Sequence, residues 1–249
     1  MPHVPRRIAV AVAVLGSTLS TLTVAGCLHD DDPMDIATEP QSAENGLDDL
    51  TPSEAVASVM DTLETEGSFH VTGTMDEGAA IDMTFVVGEG ATGTIGDSAD
   101  DPTPVKLVSA DGRIYISGDE QFLAQTVGDE AAETIGGKWV LLGEELAAQF
   151  DVLADGRRFA EALLGSSDGQ VRVTGVRDVD GSAAVGLLFR DSGTTLWVAA
   201  EGDPIPLRLE KKGASGGTGV LRFTDVGADV DLTAPAAEEV VDAADLPEE

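Results

Sequence analysis

Apolar residues first recur at helical spacing just after Thr51. The positions lie at i, i+3, i+4 and i+7, which is typical of a helix with one buried face, and they are Val56, Val59, Met60 and Leu63. Thr51, Pro52 and Glu54 combine an N-cap residue, a proline at the first helical position and a capping-box acid. Gly67 follows the pattern as a C-cap. The sequence therefore predicts a helix that begins directly after Thr51.

From Ser68 onward the apolar period changes to two, which is typical of half-buried strands. The predicted strands before the middle of the chain are 68–75, 80–87, 91–95, 105–109, 113–117 and 139–142. Those in the last third are 170–177, 183–190, 194–199, 205–211 and 220–225. Asp111 and Gly112 suit a tight hairpin turn. Ile205, Leu207 and Leu209 alternate with polar residues, so we expect one dry and one wet face there.

Helical patterns separate the two strand blocks. One runs over 120–134, and a second runs over 144–164 with an interruption near Asp155 and Gly156. A helix, a strand block, a helical insertion and a second strand block predict an α+β domain. We expect one large antiparallel sheet with the helices gathered on one face.

The N-terminus has the three parts of a secretory signal. Arg6 and Arg7 supply the charge, which is compatible with either general or twin-arginine export, and 8–22 is apolar. Residues 24–27, Val-Ala-Gly-Cys, resemble the lipobox of bacterial lipoproteins, in which the cysteine becomes the diacylated first residue of the mature chain. This predicts a signal peptide at 1–26 and a membrane anchor at Cys27, on the extracytoplasmic face. The alternative is an ordinary signal peptide or a membrane helix with an incidental cysteine.

Acidic residues dominate the rest of the chain. The whole sequence has a formal net charge of −32, and loss of two arginines with the signal leaves 12 basic and 46 acidic residues, a charge of −34. Nucleic acid is therefore a poor partner. Residues 27–50 are predicted as a flexible acidic tether after the lipidated cysteine, 51–235 as the folded domain, and 236–249 as an acidic tail. With its one cysteine assigned to the anchor, the chain has no disulfide framework.

Little in the sequence points to catalysis. The histidines after the signal are His29 in the tether and His70 on a predicted strand. A hydrolase would have to use His70 as its base, whereas a strand histidine beside threonines is more often a solvent-facing residue. Sequence motifs for zinc, nucleotide phosphates or a nucleophile elbow are absent. We expect no enzyme activity, no catalytic residue, no metal and no cofactor.

Several short motifs occur in an order that resembles the LppX/LprA/LprF/LprG lipoproteins of mycobacteria, within the LolA/LolB-like superfamily. The motifs are the lipobox, the capped helix, Ser68–Gly73, the Val105–Tyr115 hairpin, Lys138–Val140, Leu196–Val198 before Pro204, and Phe223–Asp225. The resemblance implies a curved antiparallel half-barrel, with helices on its concave face enclosing a hydrophobic cavity. It also implies an acylated lipid or lipoglycan as ligand, transport of that ligand within the cell envelope, and an envelope transporter as a further candidate partner. The acidity of this chain departs from the family pattern.

Candidate cavity residues are the large apolar side chains on the predicted helices and strands. They are Val59, Met60, Leu63, Phe69, Val71, Met83, Phe85, Leu107, Ile114, Ile116, Phe122, Leu123, Leu146, Phe150, Leu207, Leu209 and Phe223. For each of them singly, ordinary core packing is the better explanation. Two functions remain: a monomeric lipid carrier, or a non-catalytic envelope interaction module whose core is filled by its own side chains.

Overall fold

A computed structural model describes residues 42–75, 78–98, 101, 103–164, 171–212 and 218–246. All described residues belong to one compact unit, Pro40–Glu249. The predicted signal peptide and Cys27 lie outside the described residues.

The strands of the described chain join in one twelve-stranded mixed sheet that is not closed into a barrel. They are β1 (Ser68–Thr74), β2 (Ala80–Val86), β3 (Gly90–Gly96), β4 (Val105–Ala110), β5 (Arg113–Ser117), β6 (Trp139–Leu141), β7 (Val171–Val179), β8 (Ser182–Phe189), β9 (Thr194–Ala199), β10 (Pro206–Lys212), β11 (Thr218–Thr224) and β12 (Val240–Asp242). Their order is β12-β6-β5-β4-β3-β2-β1-β11-β10-β9-β8-β7. The predicted α+β class with a single large sheet is confirmed.

The sheet departs from the predicted antiparallel arrangement at one edge. β12 pairs with β6 in parallel, with Val240 opposite Trp139 and Asp242 opposite Leu141. Neighbouring parallel strands need a crossover connection, and the long segment between β11 and β12 supplies it. Ala243 and Leu246, just beyond β12, pack against the main core. Part of the segment predicted as an acidic tail is therefore built into the domain.

The first helix, α1 (Pro52–Glu66), begins and ends as predicted. The Thr51 side chain accepts a hydrogen bond from the Glu54 N–H, and the Glu54 side chain accepts from the Thr51 N–H. Gly67 ends the helix in the left-handed conformation, with φ of 78°, which costs glycine little because it lacks a Cβ. The helix buries Ala55, Val59 and Leu63.

The insertion between β5 and β7 is more broken than its pattern predicts. It contains α2 (Glu120–Val127), α3 (Asp129–Ile135), α4 (Glu144–Ala147) and α5 (Gly156–Leu164). The single helix predicted over 120–134 is divided at Gly128, whose φ of 95° and ψ of 157° are not helical. The predicted interruption near Asp155 is confirmed, since α5 begins at Gly156.

Ordered structure begins earlier than the predicted start at Thr51. Ala43 and Leu47 are buried in the main core. The Asn45 side chain donates hydrogen bonds to the carbonyl oxygens of Ala199 and Gly202. The predicted tether therefore does not extend to residue 50, because Leu47 belongs to the main core and the Asn45 amide has partners in the β9–β10 region.

Alternation along the strands separates two sheet faces. The face on which the helices pack is the helical face, and the other is the outer face. On β2, Ile81, Met83 and Phe85 are buried while Asp82 is exposed, as a period of two requires. The helical face and the helices share one continuous apolar core, and two small clusters lie apart from it.

Candidate ligand-binding core

The structure brings 16 of the 17 candidate cavity residues into one cluster between the sheet and the helices. The fully buried members are Val59, Leu63, Phe69, Val71, Met83, Phe85, Leu107, Ile114, Ile116, Leu123, Leu209 and Phe223. The half-buried members are Met60, Phe122, Leu146 and Phe150. Residues from six strands, three helices and one turn thus converge, although they are scattered over most of the sequence.

Four phenylalanine rings form the centre of this cluster. Phe69 lies directly opposite Phe85 in the β1–β2 pair, and their ring centroids are 5.2 Å apart. Phe223 on β11 approaches Phe69 at 6.1 Å. Phe159 on α5 stacks on Phe85 at 4.4 Å. Offset aromatic pairs at these distances contribute about 0.5–1.5 kcal/mol each beyond the area that they bury.

Phe159 is missing from the predicted cavity residues, although it joins α5 to the ring cluster. The helical pattern over 144–164 includes it, but its contact with Phe85 depends on how α5 lies on the sheet. Leu187, Leu196 and Leu221 on β8, β9 and β11 are also buried in this core without having been predicted. Each of them lies on a strand that the sequence predicts, and that position was the signal that could have identified them.

Among the described residues, few polar contacts join the helices that pack on the helical face to one another or to the loops of the sheet. Arg157 on α5 forms a salt bridge with Glu64 on α1, with 2.5 Å between Nη1 and Oε1. Asp155 accepts hydrogen bonds from the N–H groups of Gly88 and Arg158. The Arg157 and Glu64 side chains are 49% and 37% exposed, so water screens the pair and its net contribution is small.

Leu207 is the one candidate that lies outside the cluster. It packs with Val179, Ala184 and Trp197 on the outer face. The register of β10 against β9 shifts between Pro206 and Arg208. A bulge adds an unpaired residue, so the residues before it lie on the opposite sheet face from the one that regular alternation gives. The alternation of dry and wet faces expected over 205–210 is therefore interrupted between Pro206 and Arg208.

His70 lies on the sheet away from the apolar core. Its Nε2 is 2.9 Å from Asp82 Oδ1, and its Nδ1 is 3.6 Å from Asp225 Oδ2. The residues directly opposite it are Thr84 and Thr224. Both ring nitrogens thus face carboxylates at the outer face.

Among the described residues, no group of three or more histidine, cysteine or acidic side chains is arranged to hold a metal ion. Within the same part of the chain, every helix is too short or too polar to cross a bilayer.

Lowered pKa values occur at structural positions. The Thr51 hydroxyl and then the Thr51 backbone N–H lower the pKa of Glu54 through hydrogen bonds. The backbone N–H groups of Thr103 and Asp97 lower the pKa of Asp101 in the same way. Hydrogen bonds to the charged form of a carboxylate stabilise that form. Glu54 therefore stabilises the first turn of α1, and Asp101 stabilises the loop between β3 and β4.

No protein-family model and no curated protein sequence matches the chain. Solved structures similar to it include the lipoprotein LppX of Mycobacterium tuberculosis, with 16% identity and a TM-score of 0.44 over 76% of this chain and 100% of LppX. The complex of MucA and MucB of Pseudomonas aeruginosa gives 18% identity and 0.39, over 75% of this chain and 59% of the matched chain. A second structure of MucB, with periplasmic MucA, gives 14% and 0.35, over 74% and 59%. A member of the family that the sequence resembles is therefore among the similar structures, as expected; at these identities and TM-scores the similarity carries no conclusion about ligand or partner.

Proposed function

We propose that this protein is a non-enzymatic lipoprotein that binds an acylated lipid or lipoglycan between the sheet and the helices, and carries it within the cell envelope. The observation that supports this is the continuous apolar helical face, from β1 to β6 and from β8 to β11, under a cover of short helices. Cys27 would anchor the chain to the extracytoplasmic face of the membrane.

The cover is suited to rearrangement. The helices α2, α3, α4 and α5 have 8, 7, 4 and 9 residues. Isolated helices below about 12–15 residues are marginal in water, so these helices depend on the apolar contacts beneath them. An acyl chain that enters beneath the cover replaces such contacts with contacts of the same kind.

The driving force for binding is adequate without any catalytic group. Burial of a methylene contributes about 0.8 kcal/mol. A chain of about 16 carbons therefore gains roughly 12 kcal/mol before ordering costs are subtracted. Half-buried apolar residues such as Met60, Phe122 and Phe150 would form the rim of the site.

The second candidate is a protein-interaction module with a self-filled core. The stacked rings of Phe69, Phe85 and Phe159 favour it, because they already occupy the centre of the helical face. The two proposals differ in one observable property: only the carrier takes up a lipid chain.

Binding of a fluorescent fatty acid tests the proposal. We expect saturable binding to the soluble domain, weakened about tenfold by Phe150→Ser through the loss of apolar contact. Val152→Ser is the matched control, because Val152 is nearby in sequence and 46% exposed. An absence of saturable binding by the unmodified domain would favour the interaction module.

A further inference from the structure

Arginine side chains gather around one tryptophan on the outer face, remote from the apolar core. We define the arginine patch as Arg177, Trp197, Arg208 and Arg222. Arg208 lies directly opposite Trp197 on one side and Arg222 on the other. Side chains of directly opposite residues share a sheet face, so the neighbouring strands β9, β10 and β11 present Trp197, Arg208 and Arg222 together, and Arg177 joins them from β7.

Arg177 is held in place by the aromatic ring. Its guanidinium carbon is 3.4 Å from the centroid of the Trp197 ring. Within the described part of the chain, no carboxylate forms an ion pair with Arg177. A stacked guanidinium keeps its N–H groups available at its edges, where they can form paired hydrogen bonds to an oxyanion. The ring also reduces the conformational entropy that binding would otherwise cost.

Two buried donors next to this guanidinium lack a hydrogen-bond acceptor among the described residues. They are Trp197 Nε1 and Arg208 Nε. Trp197 is only 6% exposed. Arg208 Nε is 3.1 Å from Glu210 Oε1, but the pair lacks the alignment of a hydrogen bond. Unsatisfied buried donors are rare in proteins and are costly, and these two leave uncompensated positive potential within the arginine patch.

The charge balance of the arginine patch favours a compact anion. Asp180 is shared between Arg208 Nη1 at 3.3 Å and Arg222 Nε at 3.6 Å. With Glu210, two carboxylates therefore face three guanidinium groups. The chain as a whole has a net charge of −32, which opposes the approach of an extended anionic surface. Short-range contact with a single anionic group is compatible both with the excess of guanidinium groups in the patch and with the negative charge of the whole chain.

We infer that the arginine patch binds one oxyanion group, a phosphate or a carboxylate, carried by a small molecule or by a lipid headgroup. Arg177 supplies the paired donors, and the uncompensated N–H groups of Trp197 and Arg208 add positive potential within the patch. This site is distinct from the proposed acyl site, because it lies on the opposite face of the sheet.

Tryptophan fluorescence provides a direct test. The chain has two tryptophans, so Trp139→Phe leaves Trp197 as the sole reporter. This variant is titrated at constant ionic strength with sodium phosphate, with sodium acetate, and with dihexanoyl phosphatidic acid below its micelle concentration, against sodium chloride. We expect a saturable change in Trp197 emission with at least one oxyanion. Arg177→Gln should weaken that binding about tenfold or more, as the loss of a charged hydrogen bond predicts.

One control variant and one conservative variant accompany the titration. Arg113→Gln removes an exposed arginine from β5 and should leave the titration unchanged, and urea unfolding midpoints confirm that each variant is folded. Arg177→Lys, which keeps the charge but loses the paired donors, should bind with intermediate affinity. Saturation by phosphate or acetate identifies a free oxyanion as sufficient, and saturation by the phosphatidic acid alone identifies a headgroup. Absence of saturation by all three, or an equal response in Arg177→Gln, would overturn the inference.

Discussion

Gly156, the first residue of α5, lies against Phe85 at the centre of the core. A Cβ added to Gly156 would be 3.0 Å from Phe85 Cβ and 3.1 Å from Phe69 Cε1. Both distances are shorter than ordinary carbon contacts of about 3.5–4.0 Å. The absence of a side chain therefore allows α5 to approach the rings closely enough for Phe159 to stack on Phe85.

Gly156→Leu should reduce the free energy of unfolding by about 1–3 kcal/mol, because overpacking moves side chains and backbone out of their preferred positions. Urea unfolding followed by circular dichroism measures the change. Gly175→Ala is the control, since no atom lies within 4 Å of a Cβ at that position. An unchanged midpoint for Gly156→Leu would contradict the close packing of α5 on the sheet.

Gly73→Ala should destabilise the junction between β1 and β11. Gly73 has φ of 144°, and an added Cβ would overlap the carbonyl oxygen of Val220 and lie 3.1 Å from Leu221 Cα. Backbone atoms cannot yield as a flexible side chain can, so we expect a loss of about 2 kcal/mol or more. The same unfolding assay tests this, and stability equal to that of Gly175→Ala would show that the strands tolerate the side chain.

Thr51→Ala should lower the free energy of unfolding by about 1 kcal/mol at pH 7, through loss of the N-cap. Ser53→Ala, in the same helical turn, is the control. Hydrogen bonds from Thr51 lower the pKa of Glu54 from its ordinary value of 4.5. The stabilisation from this carboxylate is complete above pH 4.5 and is lost as the pH falls through the lower, folded-state pKa.

Unfolding of the Thr51→Ala variant and the unmodified protein is therefore compared at pH 7 and at pH 3. The difference between the two proteins should be smaller at pH 3. A difference that grows at low pH would mean that Glu54 does not accept its hydrogen bonds in the charged form.

Cys27→Ser should move the full-length protein from the membrane fraction to the soluble fraction in a bacterial host, and should abolish labelling with a fatty-acid analogue. Two acyl chains hold a protein at a bilayer much more firmly than one. Leu28→Ala is the control, because it alters the adjacent position and keeps the thiol. Retention of labelling in Cys27→Ser would contradict lipid attachment at this residue.

Local signals in the sequence predicted much of the fold. The cap at Thr51 and the helix α1 involve residues three or four apart, and strand alternation requires only a two-residue period. Both signals can therefore be recognised in a short stretch of sequence. For the same reason the apolar residues of the helical face, such as Val71 and Met83, could be identified without the structure.

Features that depend on long-range pairing were not predictable. The position of Leu207 depends on a bulge in the β9–β10 register, and burial of Leu47 depends on its packing into a core built from distant strands. The stacking of Arg177 on Trp197 requires β7 to pair with β8, with Arg177 opposite Ala184, and β8 to pair with β9. None of these pairings has a signature within a single strand.

Native mass spectrometry of the domain from Asp35 onward tests the proposed lipid binding most directly. The domain is produced in a lipid-containing host and measured before and after extraction with organic solvent. The carrier proposal predicts an added mass that matches an acylated lipid and disappears on extraction. A mass equal to that of the polypeptide alone, unchanged after incubation with added lipid, would contradict it and favour the interaction module.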